Sequence, residues 1–313
     1  MRGGKSLGGT LKADGLLLLT AAIWGFAFVA QRSSVTEIGP YAYNAARFAL
    51  GALALTPLLV LGKRRAAPRP GALGPWRKVL WAALAGVVLC VAANLQQIGL
   101  VSTTAGNAGF ITCLYVILVP VISFCFGRSL GLLVWIGAAL ALAGLYLLCV
   151  GAGFTMAFGD LLEFIGAFFW AGHILLINRL VSRMEALEIA VGQFAVCALL
   201  CLAAALVREP APFAGVLPAA IPILYCGLLS TAVAYTLQIV AQKTAQPAHA
   251  SIILSMEALF AGIGGVLLLK EPLTWRLLAG GVLMLAGMVL SQMRSTPRGQ
   301  RASAPSRVAD SSR

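Results

Sequence analysis

Three ionisable side chains fall inside long apolar runs: Arg47, His173 and Glu257. A charged group at the centre of a bilayer costs at least about 2.5–3.5 kcal/mol on insertion scales, so it normally faces a cavity or a partner. Arg47 lies seven residues in from one end of its run, roughly 10 Å at 1.5 Å per residue. Glu257 lies about eight residues into a later run, near mid-membrane. The two are expected to face one cavity, and either to pair or to hold opposite ends of a zwitterion. The alternative for Arg47 is a side chain that reaches outward to the headgroups. His173 could relay a proton or be a packed histidine bonded to a backbone carbonyl; the packed reading is preferred.

A polar set accompanies these groups: Asn44, Asn94, Gln96, Gln97, Asn107, Gln193, Tyr235 and Gln238. Hydrogen bonding between helices accounts for some of them without function. Asn94 and Gln97 are three apart and share one helix face. Asn94, Gln97, Gln193 and Gln238 are the members expected to line a cavity. Trp24 and Trp170 lie in mid-run, away from the interfacial belt where Trp collects. They would stack on a substrate, act as gates, or pack. The expected binding set is therefore Trp24, Arg47, Asn94, Gln97, Trp170, His173, Gln193, Gln238 and Glu257. No catalytic residue, metal ligand or cofactor is expected.

Other polar residues carry structural readings. His249 is expected to be wet, at the mouth of its run. Asp160 and Glu163 open a run, where carboxylates favour the positive helix N-terminus. Asp160 matches Asp14 at the start of an earlier run, which points to capping. Glu271 before Pro272 is expected to anchor a loop. Gly4-Lys5-Ser6 lacks the earlier glycine and the strand of a phosphate-binding loop. The seven cysteines all sit in apolar runs without a CxxC motif, as small buried hydrophobes do. Cys197 and Cys201 are one helical turn apart and share a face.

The elements that must position these groups follow from composition. Apolar types make up 60% of the 313 residues and charged types 11%, against about 45–50% and about 25% in soluble domains. A soluble enzyme, a disordered chain, a fibrous protein and a disulfide scaffold are excluded. An all-α polytopic membrane protein remains. Runs near the 20 or so residues a spanning helix needs lie at 13–31, 40–61, 79–100, 106–126, 130–150, 160–180, 186–207, 217–240, 249–269 and 275–292. Backbone groups in lipid must be satisfied within the segment, so these ten transmembrane runs are helices. Barrel strands would alternate polar and apolar residues. The first run follows Arg2, Lys5 and Lys12, like a signal peptide, but further spans follow it and it is read as uncleaved. Pro57, Pro120 and Pro222 are expected to kink their spans.

The net charge of +13 sits in short segments and is read as orientation charge, not as a nucleic-acid footprint. With both termini in the cytoplasm, 18 of the 23 Lys and Arg fall on cytoplasmic segments and four outside. That bias sets the topology. The chain divides into a cytoplasmic N-terminal segment (1–12), two halves (13–150 and 160–292) and a disordered cytoplasmic tail (293–313).

The halves repeat. Asp14 and Trp24 match Asp160 and Trp170 at an offset of 146, as Arg47-Phe48 matches Gln193-Phe194. At an offset of 142, Leu95-Gln96 matches Leu237-Gln238, Asn107 matches His249, and Tyr115 matches Glu257. Gly137 and Gly144 match Gly280 and Gly287. Five spans per half is an odd number, so the second half enters inverted. Many secondary transporters are built so, with the substrate between the halves near the midplane. The glycine faces would promote helix association, within the chain or in a homodimer.

These residues resemble the drug/metabolite transporter superfamily, EamA type. The resemblance rests on Trp24-Gly25, on Gly39-Pro40 before the Arg47 helix, on Thr104-Ala105-Gly106, on Lys270-Glu271-Pro272 and on the paired-glycine helices. It covers residues 13–292. It implies an inner-membrane carrier that moves a small organic solute by alternating access, with the fifth and tenth helices peripheral. Amides with one arginine and one glutamate suit an amino acid or related metabolite, with export the expected direction. The apolar neighbours suit a lipophilic cation, as in multidrug efflux. An intramembrane lipid-modifying enzyme is a further alternative, but no HExxH, paired intramembrane aspartates or Gly-x-Ser-x-Gly turn is present. No nucleotide-binding loop is present, so the expected drive is a proton or solute gradient, with Glu257 the proton-coupling candidate, or facilitated diffusion alone.

Overall fold

The computed structural model describes residues 7–63, 73–103, 105–149, 157–268 and 273–293. Among them every regular element is helical. In chain order these are α1 (Leu7–Ser34), α2 (Pro40–Lys63), α3 (Pro75–Ser102), α4 (Ala105–Thr112), α5 (Tyr115–Cys125), α6 (Leu132–Cys149), α7 (Phe158–Leu180) and α8 (Ala186–Arg208). There follow α9 (Ala220–Leu224), a π-helical stretch (Tyr225–Tyr235), α10 (Thr236–Ala241), α11 (Pro247–Leu254), α12 (Glu257–Leu268) and α13 (Trp275–Gln292). Among the described residues, eight segments are long and apolar enough to cross a membrane, and α6 and α13 are shorter apolar helices. Gly4-Lys5-Ser6, Thr104, Lys270-Glu271-Pro272 and the tail beyond Met293 lie outside the described residues, as does the Asn107 side chain.

The core is mainly apolar, as in a protein folded in water, but the outer surface is apolar too. Large apolar side chains such as Leu53, Leu61, Val207, Leu217 and Ile221 point outward, while Asp160, Glu163, His173 and Gln193 are almost wholly buried. Lipid accepts the outer side chains; the interior must satisfy the polar ones.

Small residues bring the helices together. α6 packs along α13, α2 along α8, α3 along α7 and α8, and α1 along α12 and the π-helical stretch. A Cβ at Gly137 would come to 2.6 Å from the Gly287 carbonyl oxygen, and one at Gly144 to 2.6 Å from that of Gly280. The glycine faces of α6 and α13 therefore meet each other inside one chain. A Cβ at Gly25 would come to 2.5 Å from Phe260 Cβ, so the Trp24-Gly25 pair is where α1 lies against α12.

Helix starts differ from the hydropathy edges. α1 begins at Leu7, so Asp14 is inside the helix and caps nothing; the capping expectation is corrected there. Asp160 does cap α7: its Oδ2 accepts from the Ala157 amide at 2.7 Å, and its Oδ1 accepts from the Thr103 hydroxyl. Pro40 is the first residue of α2, where a missing N–H costs nothing. The Tyr41 and Ala42 amides donate to the Glu209 carboxylate at 2.8 and 3.1 Å.

Two spans are broken, and not at proline. α2 continues through Pro57 and α5 through Pro120. The breaks are at Cys113-Leu114 and Ser255-Met256. In each, amides turn back three residues: Leu114 to Ile111, Val116 to Cys113 and Ile117 to Leu114 at the first, Met256 to Ile253 and Ala258 to Ser255 at the second. These 3₁₀-type bonds tighten the backbone between two half-helices. Pro222 precedes the third irregularity, the π-helical stretch, by three residues.

Candidate functional site

The irregular segments converge on one cavity of about 490 Å³, counted to its open mouth. Tyr115 and Glu257, the first residues of α5 and α12, both line it. So do Ser230 and Tyr235 of the π-helical stretch. Discontinuous helices at a central cavity are the usual construction of transporter sites, with half-helix N-termini turned to the solute.

Glu257 is 4% exposed. Its Oε1 accepts from the Tyr115 hydroxyl at 2.8 Å and from the Cys113 thiol at 3.3 Å. It also stands at the positive end of α12. Cys113 further contacts the Ser255 carbonyl at 3.8 Å, so one helix break touches the other beside the carboxyl group.

Arg47 is 2% exposed and lines the same cavity. It does not reach outward. Its Nε donates to Asn44 Oδ1 at 2.8 Å, and its guanidinium lies 4.6 Å from the centre of the Phe48 ring. Asn44 is itself fixed, donating to the Ala93 carbonyl at 3.1 Å and to Asn94 Oδ1 at 3.0 Å. Arg47 Nη2 has no protein partner. Arg47 and Glu257 do not form an ion pair. Their orientations are set by neutral neighbours.

An aromatic group completes the wall. The Tyr235 ring centre lies 4.7 Å from Trp24 and 6.4 Å from Trp170, stacked on the latter. Trp24 Nε1 donates to the Ser230 carbonyl at 3.1 Å and Thr20 donates to the Ala234 carbonyl at 3.2 Å. Both acceptors belong to the π-helical stretch, a form frequent at functional sites. Gln31 Oε1, Gln238 Oε1 and Trp170 Nε1 are buried without a protein partner, and all three residues line the cavity. With Arg47 Nη2 they make two donors and two acceptors without a protein partner.

Of the nine residues expected from sequence, Trp24, Arg47, Trp170, His173, Gln238 and Glu257 line the cavity. Gln193 is one layer back, bonded to His173 Nε2 at 2.9 Å; the histidine's partner is this side-chain amide, not a backbone carbonyl. Asn94 turns toward Asn44, Cys90 and Cys201. Gln97 is buried elsewhere, with its Oε1 unpartnered. Gln96 takes the wall position on α3. Phe28, Gln31, Thr112, Tyr115 and Ser230 also line the cavity without having been expected there.

Two acidic networks lie outside the cavity lining. Glu163 is fully buried and accepts from the cavity residue Thr112 at 2.7 Å. His249 is not wet: Nε2 meets Asp14 Oδ1 and Nδ1 meets Ser291 Oγ, both at 3.0 Å. It ties α11 to α1 and α13.

The comparisons agree with this architecture. The family model described as the EamA-like transporter family matches residues 11–150 and again 157–293. An uncharacterized transporter of Archaeoglobus fulgidus is 30% identical over 299 residues, covering 91% of this chain and 87% of its own. The uncharacterized inner membrane transporter YedA of Escherichia coli K12 is 27% identical over 290 residues, covering 88% and 90%. One solved crystal structure shares the fold with a TM-score of 0.73 at 18% identity, covering 90% of this chain and 96% of that one. A multi-pass membrane chain that matches the family model along both of its halves belongs to the EamA-like transporter family.

Proposed function

We propose that this protein is a secondary transporter whose cavity holds a small zwitterionic solute, an amino acid or related metabolite, between Arg47 and Glu257. The observation that carries the reading is the pair of unlike buried groups on one cavity that do not meet each other. Leaving a buried charge without a counter-charge costs several kcal/mol. A solute with a carboxylate for Arg47 Nη2 and an ammonium for Glu257 relieves both sites at once. The two indoles and Tyr235 would enclose its side chain.

Alternating access is proposed to come from two inverted halves, 13–150 and 160–292. Three observations support this. The breaks at Cys113-Leu114 and Ser255-Met256 are 142 residues apart, with matching turn bonds. Gly137 and Gly144 meet Gly287 and Gly280. Phe48 and Phe194, matched in the sequence repeat, lie 6.0 Å apart, as residues beside a two-fold axis must. Cytoplasmic termini follow from the charge bias, and a place in the inner membrane from the likeness to YedA. Export is the proposed direction, with Glu257 as the proton-coupling group.

The aromatic wall favours one second reading, a lipophilic cation held by Glu257 and by cation–π contact. A thermal-shift screen in detergent separates the two, since a ligand that binds only the folded state raises Tm by mass action. The zwitterion reading predicts amino-acid hits lost in both Arg47→Gln and Glu257→Gln. Hits confined to lipophilic cations and lost only in Glu257→Gln would replace it.

A further inference from the structure

Away from the cavity, α3 and α8 are drawn into close contact. A Cβ at Gly86 would come to 2.7 Å from Val196 Cβ, and one at Gly192 to 2.6 Å from Ala82 Cβ. This seam brings Cys90 of α3 against Cys197 and Cys201 of α8. Cys90 Sγ lies 3.6 Å from Cys201 Sγ, and Cys197 Sγ lies 4.0 Å from Cys201 Sγ. All three sulfurs fall within 4.8 Å of one another. A metal with sulfur bonds of about 2.3 Å at the centre of a sulfur triangle needs edges of about 4.0 Å, so these spacings suit a trigonal ion with little movement.

The surroundings select the ion. The Asn94 side-chain nitrogen lies 3.0 Å from Cys201 Sγ and 3.3 Å from Cys90 Sγ. Its N–H groups can support sulfur that carries negative charge. Its oxygen is engaged by Asn44, so Asn94 offers no fourth ligand. Zinc in structural sites takes four ligands, whereas soft sulfur donors also select Cu(I). Cys197 and Cys201 are fully buried and Cys90 is partly buried.

We propose that Cys90, Cys197 and Cys201 form a three-sulfur binding site for a soft monovalent cation, Cu(I) or Ag(I), that clamps α3 to α8. Each ligating thiol releases its proton to the solvent as its metal–thiolate bond forms, the Asn94 N–H groups support the negative charge left on the sulfurs, and no electrons are exchanged. The proposal is independent of the solute and of the transport reading.

The test uses the purified full chain in detergent, anaerobic with ascorbate, titrated with Cu(I) bicinchoninate. The expected result is one Cu(I) withdrawn per chain and a raised Tm. X-ray absorption should report three sulfurs at about 2.3 Å. Changes outside the ligand set alone cost metal sites about 10–100-fold, so Cys90→Ser, Cys197→Ser and Cys201→Ser should each weaken binding at least about tenfold. Cys125→Ser, at an exposed cysteine, should bind as wild type. Should a serine variant fail to fold, shown by its Tm without copper, the absorption spectrum of the wild type decides alone. Copper uptake no greater than that of the triple serine variant, nitrogen or oxygen ligation, or loss of binding in Cys125→Ser would overturn the proposal.

Discussion

Tyr115 donates a 2.8 Å hydrogen bond to Glu257, 142 residues further along the chain. Each residue opens the second half of a broken span, and each follows its break by one residue. The bond therefore joins the two discontinuities at the cavity wall. Tyr115→Phe removes it and leaves the shape unchanged. A single hydrogen bond to a charged group contributes about 1.5–3 kcal/mol, so solute affinity in binding titrations should fall roughly 10–100-fold with folding intact. An affinity equal to wild type would mean that Tyr115 does not hold Glu257 in place.

Arg47→Lys tests the other pole. The Nε bond to Asn44 at 2.8 Å and the free Nη2 both depend on the planar guanidinium. Lysine keeps the charge but not the fork. Transport of a zwitterion should fall about tenfold or more, read as initial rate in proteoliposomes. Entry of a lipophilic cation should be unaffected.

The α6–α13 seam predicts a stability effect without a functional group. Gly144→Val would drive a Cβ into the Gly280 carbonyl and the Met284 side chain. Overpacking of this kind costs about 1–3 kcal/mol. Gly15 of α1 has open space around its Cβ position, and Gly15→Ala should leave stability equal or higher by about 0.5–1 kcal/mol. Thermal melting in one detergent checks both.

The Asp14–His249–Ser291 link binds α1 to α11 and α13. His249→Ala should lower Tm, with a loss of about 1 kcal/mol. Asp14→Asn should give a smaller loss, because an amide still accepts from the ring. An unchanged Tm in both would make the link incidental.

Hydropathy made the helical runs legible because lipid permits little else, and the repeat made Tyr115 and Glu257 legible as equivalents. Side-chain direction was less accessible. Asn94 and Gln97 do share a face of α3, but the cavity lies on the face of Gln96. One residue of rotation, about 100°, separates the two faces. The start of α1 was misplaced because Lys12 and Asp14 looked like a flank, and Asp14 finds its partner 235 residues away. Only kinks at prolines were expected; the breaks fall at Cys113-Leu114 and Ser255-Met256, whose residue types carry no breaking signal. Nor does the composition of Tyr225–Tyr235 announce a π-helical turn. Glu209, the cap of α2, is remote in sequence and visible only in three dimensions.

The central claim is that Arg47 and Glu257 hold opposite charges of one solute. The most direct measurement is solute flux in proteoliposomes with three matched compounds: an amino acid, the amine that lacks its carboxylate, and the acid that lacks its amine. The account predicts that only the amino acid is carried, and that Arg47→Gln and Glu257→Gln each abolish its flux. Flux of the amine as fast as that of the amino acid, unaffected by Arg47→Gln, would contradict it.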